Sequence, residues 1–139
     1  MAVLIILLYP LAAGSILLTT DGWAINRLNV RIWITVTKPL GLTGVITPEM
    51  FADAMNVLLF IPFFAALAVL VPTWWWILLG AAMSSAVETY QAAIGTRDAT
   101  VVDVLTNTLG AALGVTFGIS QGWVAIFRRP HASSEASAR

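Results

Sequence analysis

Long apolar stretches run through most of this 139-residue chain and are separated by short polar interruptions. A helix needs about 20 apolar residues to cross the hydrocarbon core of a bilayer, which is roughly 30 Å thick. Four stretches reach that length, and they cover about residues 2–19, 54–72, 74–94 and 101–127. The pattern therefore predicts an all-α membrane protein with four transmembrane helices.

The connections between these predicted helices differ in length. Helices two and three are joined at residues 71–73, and helices three and four by about residues 93–100. Such short turns make neighbouring helices antiparallel, which predicts an antiparallel bundle. The first stretch is interpreted as a retained helix and not a secretory signal, because no basic residue precedes it and apolar residues resume after Gly14.

A long loop, over about residues 20–53, lies between predicted helices one and two. Within it, apolar and polar residues alternate over positions 28–37, a period of two that predicts an interfacial strand, with a helix as the alternative. Thr47, Pro48 and Glu49 then have the features of a helix start: an N-cap, a first-turn proline and an acid that complements the helix dipole. Helix two is therefore expected to begin inside this loop.

Composition supports a membrane location and excludes several functional classes. Charged residues make up 10% of the chain, and the mean hydropathy is +0.89, whereas soluble domains carry about 25% charged residues. Seven basic and seven acidic side chains leave no positive excess for a phosphate backbone, so nucleic-acid binding is excluded. The chain has no Cys, and its one His131 lies in a polar segment, so neither a metal site nor a cofactor is predicted.

The charge distribution predicts the domain boundary and the orientation. Residues 1–127 form a single transmembrane domain, and residues 128–139 form a disordered polar tail. Arg128 and Arg129 follow the last apolar stretch directly, without a nearby acid, whereas the basic residues of the long loop are accompanied by acids. By the positive-inside rule, both termini are expected in the cytoplasm and the long loop outside.

Two of the predicted helices each carry a narrow face of polar and small residues. In helix three, spacings of three and four residues select Gly80, Ser84, Glu88, Gln91 and Gly95. In helix four, the same spacings select Asp103, Asn107, Gly110, Gly114 and Gly118. Because small residues permit close backbone approach, the small halves of these two faces are expected to pack together and the polar halves to meet.

The polar halves predict a hydrophilic recess in one leaflet. At roughly 1.5 Å per residue, Glu88 and Asn107 lie at matching depth below the third loop, and Asn56 enters from the same side. Ionisable groups inside a membrane are costly and need partners or a function. A metal ion held by Glu88, Asp98 and Asp103 is not expected, because Arg97 already supplies the compensating charge.

Several of these residues match a known family. The segment Asn56-Val-Leu-Leu-Phe-Ile-Pro-Phe, the pair Glu88-x-x-Gln91, the pair Arg97-Asp98 and the motif Asp103-x-x-x-Asn107-x-x-Gly110-x-x-x-Gly114 resemble the VanZ-like membrane family over about residues 50–118. The resemblance implies a small multi-pass protein of the bacterial inner membrane with an envelope role, since the namesake is associated with teicoplanin resistance. The polar set that it implies is Asn56, Glu88, Gln91, Arg97, Asp98, Asp103 and Asn107. Phe64 stands where the family often has Gly, which narrows any cavity beside helix two.

Three functions are compatible with such a recess. The preferred one is a pocket, open to the outer leaflet, that binds or shields a lipid head group, a lipid-linked cell-wall precursor or a glycopeptide antibiotic, with Arg97 contacting an anionic group. An enzyme would instead use Glu88 or Asp103 as an acid or base on a lipid-linked substrate. A structural partner protein would use its polar residues only to hold helices together. The pocket is preferred because a purely structural role does not predict that the polar residues cluster in one leaflet.

Overall fold

The computed structural model describes residues 2–17, 22–95 and 100–127. Within these ranges the chain is helical and contains no strand, which confirms the all-α prediction. The helices are α1 (Ala2–Leu17), α2 (Gly22–Thr37), α3 (Pro48–Leu70), α4 (Trp75–Ile94) and α5 (Val101–Phe127). The predicted polar tail, residues 128–139, lies outside the described residues.

The strand predicted over positions 28–37 is wrong, because α2 covers this segment. A helix satisfies its own backbone hydrogen bonds, whereas a strand needs a neighbouring strand, and the described residues offer none. Side chains also tie α2 to the start of α3. The Asn29 amide donates to the Pro48 carbonyl at 3.2 Å, and the Trp33 indole donates to the Ile46 carbonyl at 2.8 Å.

The start of α3 follows the local sequence closely. Thr47 is the N-cap, and its hydroxyl accepts a hydrogen bond from the Met50 backbone N–H at 3.2 Å. Pro48 occupies the first turn, where its missing N–H costs nothing. The prediction that this helix begins inside the long loop is therefore confirmed.

Among the residues that the structure describes, two helical segments are long and apolar enough to cross a membrane. They are Pro48–Leu70 and Val101–Gln121, and a shorter apolar helix covers Ala2–Ser15. Polar residues interrupt α4, of which Ser84, Glu88 and Gln91 are buried. Four membrane crossings in an antiparallel bundle therefore remain a prediction.

The closest helix contact is between α3 and α5. A Cβ atom added to Gly114 would lie 2.5 Å from the Ile61 carbonyl oxygen and 3.0 Å from the Ala65 backbone nitrogen. Gly110 and Gly118 face the Val57 and Ala65 carbonyls in the same way. The small face of the fourth predicted helix therefore packs on α3 and not on α4, contrary to the expectation. Spacing identifies a face that permits close approach, but it does not choose the neighbour.

Helix α4 meets α5 along an adjacent strip. A Cβ atom on Gly80 would lie 2.5 Å from the Cβ atom of Ala111 and 3.2 Å from the ring of Phe64. Phe64 is fully buried, stacks on Phe60 at 5.9 Å and forms an edge contact with Phe63 at 5.2 Å. Aromatic side chains therefore fill the interior at this position.

The close contact of Gly114 with α3 generates a stability prediction. Gly114→Ala should lower stability by about 1–3 kcal/mol, because its methyl group would meet backbone atoms that cannot rotate away. Gly14→Ala is the matched control, since it is also a helical glycine and has no atom within 4 Å of the added Cβ. Thermal unfolding of both variants in nanodiscs measures the effect. Equal midpoints for the two variants would contradict the close α3–α5 contact.

Candidate functional site

Asp103 connects α5 to α3. The Asn56 side-chain amide donates to one carboxylate oxygen of Asp103, and the two atoms are 2.6 Å apart. Both residues are part-buried near the polar ends of their helices. This contact places Asn56 at the end of α5 that carries Asp103.

Thr100 extends this connection to α4. Its hydroxyl accepts from the Asp103 backbone N–H at 3.0 Å, which caps the first turn of α5, and donates to the second Asp103 oxygen at 2.7 Å. The Thr100 backbone N–H donates to the Glu88 carboxylate at 3.1 Å. In an ordinary capping box the acid three residues after the cap accepts that N–H. Here an acid from the neighbouring helix accepts it.

The site prediction missed Thr100, although the sequence carries a signal for it. Thr100-x-x-Asp103 has the spacing of a helix-capping motif, and it comes directly before the last apolar stretch. The motif identifies the start of the helix. It does not show that Glu88, twelve residues earlier, provides the acceptor for the Thr100 backbone.

A second polar contact lies deeper between α4 and α5. The Asn107 amide nitrogen donates to the Ser84 hydroxyl at 2.9 Å, and both side chains are buried. The Asn107 side-chain oxygen is also buried and has no hydrogen-bond partner. Glu88 and Gln91 are buried on the same side of α4. The polar halves of the two predicted faces therefore do meet.

The predicted site residues fall into three groups. Asn56, Asp103 and Glu88 belong to one hydrogen-bonded chain that passes through Thr100. Gln91 and Asn107 are buried between helices, with 4% and 3% of their surface exposed. Arg97 and Asp98 lie outside the described residues. That these seven residues bind a ligand remains a prediction.

An open groove of about 970 Å³ lies beside the hydrogen-bonded chain. It is bounded by α2, the first turns of α3 and α5, and the end of α4. Its polar lining consists of Asn26, Asn29, Glu49, Asp53, Asn56, Thr100 and Asp103. Of the predicted site residues, only Asn56 and Asp103 are among the described residues that line this groove. Asn29 lies in the segment that was interpreted as a strand and Asn26 lies just before it, and neither was predicted as a site residue.

The described lining of the groove is acidic. Glu49, Asp53 and Asp103 line it, and no Lys or Arg does so within the part of the chain that the structure describes. Those described residues also contain no group of three or more His, Cys, Asp or Glu side chains suited to holding a metal ion. The acids therefore face the groove as hydrogen-bond acceptors without a local cation from these residues.

A family comparison covers nearly all of this helical region. The profile of the VanZ/LLP1 family matches residues 1–125, from α1 through most of α5. The chain belongs to the VanZ/LLP1 family. Comparison with curated proteins and with solved structures gave no match. Together with the two long apolar helices, membership of the VanZ/LLP1 family indicates a membrane protein.

The contact between Asn56 and Asp103 can be tested with a double-mutant cycle. Asn56→Ala and Asp103→Ala should be coupled by about 1.5 kcal/mol, more than the roughly 0.6 kcal/mol typical of polar pairs in membranes, because the acceptor is a carboxylate. Chemical unfolding of the single and double variants in mixed micelles measures the coupling. Asn56→Ala with Thr108→Ala is the control cycle, since Thr108 bonds only to the Val104 carbonyl in its own helix. Additive effects in both cycles would contradict the pairing.

Proposed function

We propose that this VanZ/LLP1 protein binds or shields a polar cell-envelope ligand in the groove under α2. The candidate ligands are a lipid head group, a lipid-linked cell-wall precursor and a glycopeptide antibiotic. The observation that carries the proposal is the open groove of about 970 Å³ at the polar ends of α3, α4 and α5. This volume is at the upper end of the roughly 300–1,000 Å³ usual for small-molecule sites.

The groove has the mixed lining that an amphipathic ligand needs. Leu28, Ile32 and Leu59 offer apolar contact, and the amides of Asn26 and Asn29 offer hydrogen-bond donors and acceptors. Asp53 adds an acceptor for hydroxyl or amine groups. Such a lining suits a ligand that combines hydrocarbon with a sugar, peptide or amine portion.

Asp103 is held ready for such a ligand by its neighbours. Both of its carboxylate oxygens accept hydrogen bonds from the protein, one from Asn56 and one from Thr100. A carboxylate oxygen has more than one lone pair, so each can accept a further hydrogen bond from a ligand. Fixing the side chain in advance lowers the entropy lost on binding.

The proposal includes the topology expected from the sequence. Four membrane crossings would place both termini in the cytoplasm and open the groove toward the outer leaflet of a bacterial inner membrane. Arg97, in the loop between α4 and α5, would then contact an anionic portion of the ligand, such as a phosphate or carboxylate. A role in the envelope, such as tolerance to teicoplanin, would follow from sequestering the precursor or the drug.

A purely structural role is the second candidate, and one observation favours it. Two pairs of polar side chains form hydrogen bonds across helix interfaces. Asn56 bonds to Asp103 between α3 and α5, and Asn107 bonds to Ser84 between α5 and α4. In the catalytic alternative, Glu88 or Asp103 would act as an acid or base on a lipid-linked substrate, and both carboxylates also accept the hydrogen bonds that join the helices.

Filling the groove tests the proposal. Ala52 lines the groove on α3, so Ala52→Trp should weaken binding at least tenfold by occupying the ligand volume. The measurement is a titration of purified protein in nanodiscs with a fluorescent lipid-linked cell-wall precursor and, separately, with fluorescent teicoplanin. Saturable binding of one of these probes is expected for the unmodified chain.

The matched control is Leu58→Trp on the same helix. Leu58 is 56% exposed and does not line the groove, so this variant should bind as the unmodified chain does. Equal affinity of the Ala52→Trp and unmodified proteins would exclude the groove as the binding site. Absence of saturable binding of either probe would favour the structural role.

A further inference from the structure

Helix α2 presents two opposite faces. Ile25, Leu28, Asn29 and Ile32 face the groove. At 100° per residue, the opposite side of the helix carries Arg27 and Ile34, which line a separate shallow depression. The groove accounts for the first face, whereas the second has no role in the proposed ligand site.

The outer face of α2 is cationic and aromatic. Its residues recur at spacings of four, four, three and four, which places them on one side of the helix, and we call them the cationic stripe: Trp23, Arg27, Arg31, Ile34 and Lys38. The Lys38 backbone N–H donates to the Ile34 carbonyl at 3.0 Å, so the last residue continues the helical turn. All five side chains are exposed. Trp23, in the first turn of α2, borders both the groove and the shallow depression, whereas the other four residues do not line the groove.

No acid neutralises the cationic stripe among the residues that the structure describes. Arg27, Arg31 and Lys38 form no ion pair there. The acids of the adjoining turn of α3, Glu49 and Asp53, line the groove and therefore lie beside the opposite face of α2. The three positive charges consequently point away from the acidic side of the molecule.

The position of α2 along the fold favours a lipid partner. The hydrogen bonds from Asn29 to Pro48 and from Trp33 to Ile46 hold α2 beside the first residue of α3, where an apolar segment long enough to cross a membrane begins. A helix held at that level lies at the boundary between hydrocarbon and head groups. Tryptophan is favoured at this depth, and long basic side chains extend from it toward phosphate groups.

We propose that the cationic stripe binds the anionic head groups of the surrounding bilayer, with α2 lying in the membrane interface. Amphipathic helices with basic and aromatic residues bind such surfaces through apolar burial and through attraction to anionic lipids. Because Arg27, Arg31 and Lys38 do not line the groove, lipid binding through them holds α2 over the groove without filling it. This inference does not depend on the identity of the groove ligand.

A site-specific quenching experiment tests the proposal. The chain has no Cys, so Ile34→Cys provides a single labelling position on the cationic stripe. The full chain carrying a fluorophore there is reconstituted in phosphatidylcholine bilayers that contain a small fraction of spin-labelled phosphatidylglycerol or of spin-labelled phosphatidylcholine. The anionic lipid should quench more strongly, and the preference should decline as salt is raised.

Charge substitutions distinguish attraction to the head group from mere proximity to lipid. Each of Arg27→Gln, Arg31→Gln and Lys38→Gln should weaken the preference for phosphatidylglycerol about fivefold, since one basic residue near a membrane surface contributes about 1 kcal/mol. The charge-conserving double variant Arg27→Lys/Arg31→Lys should retain most of it. A label at Leu78→Cys, 58% exposed on α4 and remote from α2, should be quenched equally by both lipids.

The outcomes separate clearly. Equal quenching by the two lipids at position 34 in the otherwise unmodified chain would overturn the proposal, and so would an undiminished preference in the three glutamine variants. If a glutamine variant fails to insert, the test is the salt dependence of quenching in the labelled chain that keeps all three basic residues. A preference for phosphatidylglycerol that does not decline as salt is raised would then overturn the proposal. Circular dichroism of each reconstituted variant verifies that the helical content is unchanged.

Discussion

The close approach of α5 to the backbone of α3 is the constraint on which the rest of the structure depends. Gly110, Gly114 and Gly118 lie on one side of α5 and leave room only for the backbone and Cβ atoms of α3. This contact fixes the relative depth of the two helices. Asp103, two turns before the first of these glycines, therefore lies beside Asn56 on the opposing helix. Bulkier residues in place of these three glycines would separate the helices and break this hydrogen bond.

The polar end of the bundle follows from the cost of burying unpartnered groups. The first turn of α5 has backbone N–H groups without a helical acceptor, and in a membrane setting each must be satisfied by the protein. Thr100 accepts from one of them, while its own N–H is satisfied by Glu88 from α4. A single helix start thus links three helices. Glu88 is accordingly part of the framework that holds Asp103 beside the groove.

Helix α2 separates two environments of opposite charge. Its inner side closes a groove lined by acids and amides, and its outer side carries exposed arginines. Side-chain hydrogen bonds anchor this helix to the chain just before and at the start of α3. The same element can therefore cover a ligand site and face a lipid surface, because the two sides of an exposed helix can contact different partners.

The amino-acid sequence determined the helical class, the start of α3 at Thr47 and the polar and small residues that share one side of α4 and α5, since these depend on local periodicity and capping. The tertiary structure alone decided that the α5 glycines pack on α3, that Glu88 caps a neighbouring helix and that α2 is a helix facing the groove. Periodicity describes one element at a time, whereas the choice of neighbour depends on how the surfaces of all the helices fit together.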